Sequence, residues 1–379
     1  MQKTDPVIFI IVAILMLIGA LFSYSLPIFL EMVKNWGEYH FFWRYLLFAS
    51  VGFGWMIFLS TRNPDKWFEP LGFSILIISG ILVILLPFLP ESIAPVIKGA
   101  KRWIQIGLFK FSPVEFFKLG VIFFLSWSFS RKLKTTPSVK EEFKLLGPYI
   151  IILGIFGGLI SFLLSDLGQV LIISIIFMVL LIAAGGRFKV LGVIGIVVIL
   201  IAIIAIFSKS YRIERMENWL YTMSATFLPH PLVNGSIANY GQVISSLNAI
   251  HHGGIFGTGI GNGIFKLGYV SDIHTDFVLA GIAEESGIFG ITIIFGLYAI
   301  LLHRIFKISN RSSKKEYQLF ALGVGSLIAT QLIFNGLGIT SIIPLKGLTV
   351  PFLSYGGSSL LAFATAIGMV LMISKKAKL

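Results

Sequence analysis

Long apolar runs separated by short polar segments dominate the chain from end to end. An α-helix needs about 20 apolar residues to cross the hydrocarbon core of a bilayer. Ten segments approach or exceed this length: residues 7–29, 40–60, 70–90, 113–130, 146–164, 166–185, 189–207, 276–303, 317–337 and 356–374. Only Ser165 and Asp166 mark the tight connection between the fifth and the sixth. The pattern predicts an all-α integral membrane protein with ten transmembrane helices in a single domain over residues 1–379.

Three polar segments between the predicted helices are long enough to carry a functional site. They are residues 91–112, 208–275 and 338–355, and in a ten-helix chain all three open on the same face of the membrane. The longest segment lies between the seventh and eighth helices. It contains an amphipathic stretch from Tyr211, which predicts a helix on the membrane surface. A glycine-rich stretch at residues 253–263 predicts tight turns.

The composition agrees with a membrane protein. Hydrophobic residues make up 56% of the chain and charged residues 12%, and the mean hydropathy is +0.92. These values exclude a soluble enzyme with a large core. The chain contains no cysteine, so disulfides and thiolate metal sites are excluded. The first apolar run is longer than the apolar core of a signal peptide, and we interpret it as a retained first helix.

The distribution of Lys and Arg predicts the orientation, because these residues accumulate in cytoplasmic loops. With both termini in the cytoplasm, 18 of the 30 Lys and Arg residues fall in inside segments and ten in outside segments, while Arg44 and Lys118 lie within helices. Residues 208–275 then form a large extracytoplasmic loop. The formal net charge of +13 reflects this topology and attraction to anionic lipid headgroups. Nothing in the pattern indicates a nucleic-acid partner.

Ionisable residues cluster where the eighth apolar segment begins. His274, Thr275 and Asp276 lie at its water end, and Glu284 and Glu285 follow about two turns inside it. A charge at that depth is costly unless it faces a cavity or a partner. The cluster is therefore a candidate functional site.

Six motifs in order along the chain resemble one known family. They are KGAKRWIQIGLFKFSPVEFFKLG from Lys98, SDLGQ from Ser165, YRIER from Tyr211, GGIFGTGIGNG from Gly253, KLGYVSDIHTDFVLAGIAEESGIFG from Lys266 and PLKGLTVPFLSYGGSS from Pro344. The chain resembles the SEDS family (shape, elongation, division and sporulation proteins), whose FtsW and RodA types are peptidoglycan glycosyltransferases. Three residues depart from the common family pattern: Ser165, Gln169 and Ser286.

The resemblance implies polymerisation of lipid II into glycan strands at the outer face of the cytoplasmic membrane. An inverting transfer of this kind needs a base for the acceptor hydroxyl, and the His-Thr-Asp-Phe motif implies Asp276 in that role, with His274 and Thr275 as substrate contacts. From the residue alone, an Asp that caps a helix is the alternative. Glu284 and Glu285 are expected to support the bundle by pairing with cations.

The leaving pyrophosphate needs cations to meet its charge, and the second polar segment supplies Lys101, Arg102 and Lys110 beside Trp103. We expect these four residues to bind substrate, although an interfacial tryptophan with snorkelling cations is the alternative. Lys346 is expected to contact the pyrophosphate. Two further residues are expected to form an internal ion pair at i,i+3: Glu115 and Lys118.

The KLGY and PLKGLT segments resemble the FtsW branch of the family, which implies septal wall synthesis in division. The alternative is RodA-type elongation. The implied partners are lipid II, the nascent glycan strand, membrane lipids, a cognate class B penicillin-binding protein and other division proteins. No tightly bound cofactor is expected. His251 and His252 lack the further ligand of a zinc site, and any Mg or Mn ion would be held by the pyrophosphate and Asp276.

Two other functions remain open from the sequence. A lipid II flippase would also place polar residues within membrane helices, but it would need a polar path to the inner leaflet, and the unusual residues here collect on the outer side. A scaffold that only recruits a transpeptidase would tolerate Asp276→Asn, whereas a polymerase would not.

Overall fold

The structure is a computed structural model that describes residues 4–97, 99–107, 109–133, 138–227, 241–344 and 347–377. Within these ranges ten helices are long and apolar enough to span a membrane, as the hydrophobic pattern predicts. The only sheet within the same ranges is a short antiparallel hairpin, in which β1 (Ile104–Ile106) pairs with β2 (Phe109–Phe111). The fold is therefore an all-α bundle.

The ten spanning helices follow the order of the apolar segments. They are α1 (Pro6–Ser25), α3 (His40–Thr61), α4 (Pro64–Leu85), α5 (Pro113–Lys132), α6 (Val139–Gly158), α7 (Leu167–Ala184), α8 (Phe188–Phe207), α11 (Val278–Arg311), α12 (Lys315–Ile339) and α13 (Gly357–Ser374). A π-helical turn, Leu159–Leu163, extends α6. Three other helices do not span: α2 (Ile28–Lys34), α9 (Ser210–Phe227) and α10 (Gly241–Gly253).

Capping residues decide where several helices begin, and this shifts their ends from the predicted ones. The Asn63 side chain caps α4 and Pro64 follows it, so α4 starts six residues before the predicted 70. The Ser138 side chain accepts the N–H of Glu141 at the start of α6. Such caps satisfy N–H groups that a helix leaves unpaired, and they lie in polar sequence outside the apolar runs.

The centre of the bundle is formed by α5, α12 and α13. In their most apolar stretches 83%, 61% and 89% of the residues are buried, against 28% in α3 and 22% in α8. A helix that is apolar all round can occupy the core or face lipid, and burial separates the two cases. The central helices also carry three buried polar residues that contribute to the site, Glu115 and Lys118 on α5 and Asn335 on α12.

Both described ends of the chain lie at the same end of the bundle. Asp5 forms an ion pair with Arg304 near the end of α11, with Oδ2 2.6 Å from Nη2. Lys376 pairs with Asp65 at the start of α4 (2.8 Å). We name this the terminal end. The opposite end carries the hairpin, α9, α10 and the turns before α11, and we name it the loop end.

A glycine kink divides α11 and admits a loop into the break. Gly287 has φ +66° and ψ −171°, a backbone conformation that side chains disfavour. The N–H groups of Thr258 and Gly259 donate to the carbonyls of Glu284 and Glu285 at 3.0 and 3.1 Å. The glycine-rich loop of residues 254–265 is thus bound to the backbone of α11.

Candidate active site

Asp276 closes a turn immediately before α11. The N–H groups of Thr275 and Phe277 both donate to the carbonyl of Asp272, which shapes residues 271–277 as a turn. Phe277 occupies the N-cap position of α11, and no side chain caps this helix. Asp276, whose side chain is half-buried, therefore precedes the N-cap position of α11 and does not occupy it.

Two other segments converge on Asp276. The fully buried amide of Asn335, on α12, donates to the carbonyls of Asp276 and Leu348 at 2.7 and 2.8 Å. Gly347 lies directly against the Asp276 carboxylate. Asn335 thus fastens the turn before α11 to the segment that leads into α13, with the carboxylate between them.

His274 and Thr275 hold the segment before α13 through their backbone. The Tyr355 N–H donates to the His274 carbonyl (2.9 Å) and the Ser354 hydroxyl donates to the Thr275 carbonyl (2.6 Å). The buried His274 ring packs on Phe41 of α3, with centroids 4.8 Å apart. Substrate contact by either side chain stays a prediction. Their backbone carbonyls join the turn that contains Asp276 to the segment before α13.

Glu284 binds the glycine-rich loop. Its Oε1 accepts the N–H groups of Ile264 (2.6 Å) and Phe265 (3.1 Å), and it lies 3.1 Å from Nδ1 of His252 on α10. Its side chain is buried. Hydrogen bonds to a carboxylate offset the cost of its burial. These contacts therefore give Glu284 a structural role, in which it joins α10 and the glycine-rich loop to α11.

Glu285 lies in a second buried cluster, next to the first. Its Oε1 is 2.6 Å from Nζ of Lys266, and its carboxylate accepts the Ser25 hydroxyl (2.7 Å) and the Gly261 N–H (3.1 Å). Lys266 also donates to the Gly261 carbonyl. The pair joins α1, α11 and the glycine-rich loop in one network.

Lys101 and Arg102 bind backbone carbonyls. Lys101 donates to the carbonyls of Pro87 and Leu89, which anchors the segment before the hairpin to the end of α4. Arg102 donates to the carbonyls of Leu164 (3.2 Å) and Ser165 (2.6 Å). The hydrogen bonds of both residues stabilise the loop end; whether either cation also meets substrate stays a prediction.

Trp103 and Lys110 lie on the same loop end with different surroundings. Trp103 is half-buried and Lys110 is exposed on β2. Within the part of the chain that the structure describes, neither side chain has a hydrogen-bond, ion-pair or ring partner. Both are accessible for the predicted substrate contacts. Lys346 lies outside the described residues.

Glu115, Lys118 and Gln169 form a buried polar group between α5 and α7. Glu115 Oε2 is 3.0 Å from Lys118 Nζ, and the Gln169 amide donates to Glu115 Oε1 (3.1 Å). Asp166 caps α7 beside them and lies 3.7 Å from Arg102 Nε. Burial raises the pKa of the Asp166 carboxyl above its usual value, while the Arg102 charge acts in the opposite direction.

Cations cover the end of α6 and its π-helical turn, and two of them, Lys209 and Arg212, were not among the predicted site residues. Arg212 donates to the carbonyls of Ala205 and Ser161, and Lys209 donates to the carbonyl of Phe162 (3.0 Å). Together with Arg102, these residues meet the carbonyl groups that remain unpaired where a helix ends. Cations are favoured there by the helix dipole.

An apolar cavity of about 620 Å³ opens beside these cations. It lies between α6, α7 and α8, and α9 and the segment after α12 contribute to its wall. Its lining includes Ser161, Val170, Ile194, Met216 and Phe334. The lining is predominantly apolar, which suits a hydrocarbon chain.

The central helix α12 connects the cavity with the Asp276 site. Phe334 faces the cavity, and the adjacent Asn335 donates to Asp276. Adjacent residues of a helix point about 100° apart, so α12 borders the cavity with one face and the Asp276 site with another. A polar site with a carboxylate, and an apolar cavity with cations at its rim, therefore meet at the loop end.

The described residues do not include a cluster of three or more His, Cys, Asp or Glu side chains that could hold a metal ion. Nδ1 of His252 contacts the Glu284 carboxylate.

The fold and the site define a class of multi-pass membrane protein with a half-buried carboxylate, cations and an apolar cavity at one end of the bundle. Comparison with known proteins places the chain within that class. The family model described as "Cell cycle protein" of the FtsW, RodA and SpoVE type matches residues 5–379. The chain belongs to this family.

Individual relatives match over their full lengths. The chain is 42% identical to the probable peptidoglycan glycosyltransferase FtsW of Helicobacter pylori strain 26695, covering 100% of both chains. It is 32% identical to stage V sporulation protein E of Bacillus subtilis, covering 99% of this chain and 98% of the relative.

Two solved structures have the same fold. One, described as "Structural coordination of polymerization and crosslinking by a peptidoglycan synthase complex", matches with a TM-score of 0.75 at 23% identity, covering 99% of this chain and 98% of that chain. The other is the rod shape determining protein RodA of Thermus thermophilus, with a TM-score of 0.66 at 22% identity, covering 99% and 98%. These likenesses show the ten-helix architecture.

Proposed function

We propose that this protein is a peptidoglycan glycosyltransferase that polymerises lipid II. The observation that carries the proposal is the placement of Asp276: Asn335 of α12 holds its backbone carbonyl, and its carboxylate lies against Gly347 in the segment before α13. The names of full-length relatives, probable peptidoglycan glycosyltransferases, support the same activity.

The reaction joins two lipid-linked saccharides. The C4 hydroxyl oxygen of N-acetylglucosamine attacks the anomeric carbon of N-acetylmuramic acid, the bond from that carbon to the pyrophosphate oxygen breaks, and lipid pyrophosphate leaves with inversion. Asp276 accepts the hydroxyl proton. A positioned base of this kind contributes about 10²–10⁴-fold to a rate.

The cations at the loop end meet the charge that develops on the leaving group. Arg102 lies at the rim of the α6–α8 region beside Asp166, and Lys110 is exposed on the hairpin. Charge-assisted bonds from guanidinium and ammonium groups to phosphate oxygens are strong. Trp103 supplies an apolar face for a sugar ring.

The proposal includes an orientation in which the loop end faces outside the cytoplasmic membrane. The excess of Lys and Arg in the segments at the terminal end supports this orientation, because such residues accumulate on the cytoplasmic side. In the FtsW branch, to which the Helicobacter pylori relative belongs by name, we propose that this outer face is at the division septum.

A class B penicillin-binding protein is the proposed partner. The support is the fold shared with a chain of a peptidoglycan synthase complex that coordinates polymerisation and crosslinking. Other division proteins of the membrane are proposed as further partners. A Mg or Mn ion carried by the substrate pyrophosphate is a further proposal, and a rate that survives chelation by EDTA would exclude it.

The test is polymerisation of purified lipid II by the protein with its cognate transpeptidase. Wild-type protein should produce glycan strands, and Asp276→Asn should lower the initial rate by at least about 100-fold without changing the thermal unfolding temperature. Asp272→Asn is the matched control, because it makes the same change in the same turn. Wild-type rates from Asp276→Asn would contradict the assignment of the base.

A further inference from the structure

Arg44 is a cation within a membrane-spanning helix that no part of the proposed catalytic machinery explains. It lies one turn into α3 at the loop end and is half-buried. Two more deeply buried cations have carboxylate partners: Lys118 pairs with Glu115 and Lys266 with Glu285. Within the described part of the chain, no carboxylate forms an ion pair with Arg44. A cation at such a position is costly unless it serves a partner or a ligand.

The surroundings of Arg44 are aromatic. Its guanidinium carbon lies 5.6 Å from the centroid of the Phe109 ring on β2. It also reaches the Tyr355 hydroxyl: burial raises the pKa of that phenol, and the adjacent Arg44 lowers it in part. An arginine between two aromatic rings keeps its hydrogen-bond donors in a fixed plane, which suits an anionic oxygen acceptor.

Tyr355 links Arg44 to the Asp276 turn. Its N–H donates to the His274 carbonyl at 2.9 Å, two residues before Asp276. The Phe41 ring lies between them, 4.9 Å from the Tyr355 ring and 4.8 Å from the His274 ring. Arg44 and Asp276 are therefore connected through one aromatic layer at the loop end.

An apolar groove begins below Arg44 on the surface of the bundle. Its volume is about 530 Å³, and α3, α4, α5 and α13 form its walls. Val51 and Trp55 line it, seven and eleven residues after Arg44, and this spacing places all three on one face of α3. Arg44 thus lies on the groove's side of α3, two turns nearer the loop end than Val51, and we call this position the mouth of the groove.

The hairpin covers the same mouth. The Phe109 ring packs on Phe48, at 5.1 Å, and the Phe111 ring packs on Phe116 of the groove wall, at 5.3 Å. Phe48 lies one turn after Arg44 on the same helix face. A charged headgroup at Arg44 would therefore be held between the hairpin and α3, with its hydrocarbon chain directed down the groove.

We propose that Arg44 and Tyr355 bind the pyrophosphate of a polyprenyl-linked substrate whose hydrocarbon chain occupies the α3–α4 groove. The proposal rests on the proposed function, because a reaction that joins two lipid-linked saccharides must hold two polyprenyl chains. The α6–α8 cavity with Arg102 at its rim accommodates one of them. The α3–α4 groove with Arg44 at its mouth accommodates the other.

The direct test is photo-crosslinking with undecaprenyl pyrophosphate that carries a diazirine on its chain, followed by peptide mapping. In full-length wild-type protein, the label should appear on α3 and α4. Arg44→Gln should raise the concentration for half-maximal labelling of these helices by about tenfold or more, as expected for a lost charge-assisted bond. Arg44→Lys should give an intermediate shift. Unchanged labelling of α3 and α4 in Arg44→Gln would overturn the proposal.

Two controls separate recognition of the pyrophosphate from loss of the groove. Undecaprenol with the same diazirine has no charge, so its labelling of α3 should be equal in wild type and Arg44→Gln. A parallel decrease with both probes would mean that the groove has collapsed, which overturns the role given to Arg44. Arg62→Gln is the matched protein control: Arg62 also stacks on aromatic rings next to α3, 3.9 Å from the Phe58 centroid, but at the terminal end.

A third variant tests the hydrocarbon chain. Gly54 lines the groove, and a side chain added there would point into open space, so Gly54→Leu should fill the groove without a clash. We expect labelling of α3 and α4 to fall about tenfold with both probes, undecaprenyl pyrophosphate and undecaprenol, because the hydrocarbon chain is common to them. Undiminished labelling in Gly54→Leu would contradict the groove assignment.

Failure of this inference and failure of the proposed function give different results. If wild-type protein makes polymer but the labelling of α3 and α4 does not depend on Arg44, the Arg44 site is rejected and the glycosyltransferase activity stands. If the labelling depends on Arg44 but the protein makes no polymer, the lipid pyrophosphate site stands and the glycosyltransferase activity is rejected. If both hold, Arg44→Gln should raise the KM for lipid II more than it lowers kcat.

Discussion

The backbone of Gly347 lies against the carboxylate of Asp276, so closely that a methyl group on Gly347 would be 2.9 Å from Oδ2. Contact at this distance forces one group to move, and the side-chain carboxylate is the more mobile of the two. The segment that precedes α13 thereby limits the positions open to the proposed base. Only a residue without a side chain leaves the carboxylate where Asn335 and the α11 turn place it.

Gly347→Ala should therefore reduce catalysis without unfolding the protein. Displacement of the carboxylate by a fraction of an ångström to one ångström should lower the initial rate of lipid II polymerisation by about 10- to 100-fold. Gly356→Ala is the control in the same segment, because its new methyl group would meet neighbours at an ordinary 3.6 Å. Equal rates in the two variants would show that this contact does not position Asp276.

Asn335 should contribute more to stability than its neighbour Gln331, although both are fully buried on α12. Asn335→Leu removes the donor from the buried Leu348 carbonyl, at a cost of about 1–3 kcal/mol, and from the partly buried Asp276 carbonyl. The Gln331 amide has no hydrogen-bond partner within the described chain, so the near-isosteric Gln331→Met should be neutral or stabilising. Thermal unfolding in detergent measures both, and comparable losses of stability would contradict the assigned role of Asn335.

The Lys266–Glu285 pair should be a major determinant of stability. Both side chains are almost fully buried, and Lys266→Met would leave a carboxylate inside the bundle without its counter-ion, which costs about 3–5 kcal/mol. Lys314→Met removes one side of an ion pair of similar length, 2.8 Å, whose partners are exposed. That change should cost less than about 1 kcal/mol. Similar unfolding temperatures for the two variants would refute the buried network.

Asp166 should make stability depend on pH in the direction opposite to an ordinary surface carboxylate. Burial raises its pKa in the folded protein above the ordinary 3.8, so the folded state holds the proton more tightly than the unfolded state. The contribution of this group is then fully present below about pH 4 and is lost as pH rises through the raised pKa.

Asp166→Asn should remove that dependence, because Asn stays neutral and can still accept the N–H of Gln169 as a helix cap. We expect a higher unfolding temperature than wild type at pH 8, and a difference that shrinks towards pH 4. Unfolding temperatures recorded in steps between these values test it. A variant that is less stable than wild type at pH 8 would show that the charged pair with Arg102 outweighs burial.

Much of the architecture is encoded locally and could be predicted. The ten spanning helices follow from the length of the apolar runs, since a bilayer requires about 20 apolar residues whatever the neighbours are. The surface helix from Tyr211 appears as α9, Ser210–Phe227. Helix ends were less predictable, because the caps at Asn63 and Ser138 lie in polar sequence.

The identity of the candidate base also came from sequence, through the ordered motifs and the position of Asp276 at the start of an apolar segment. Its surroundings did not. The Asn335 amide that holds Asp276 is 59 positions away in sequence, and Ser25, which binds Glu285, is 260 positions away. No periodicity predicts such contacts, because they depend on which helices are neighbours.

Sequence by itself thus determined the class, the number of spans and the residue types available for chemistry, since these depend on hydrophobicity and local spacing. Tertiary structure decided how those residues are used. It placed Arg102 on the carbonyls of Leu164 and Ser165, and Arg44 beside Tyr355 at the mouth of a groove. The physical reason is that a side chain on an apolar helix acquires its role from the helix packed against it, and helix packing is a property of the whole bundle.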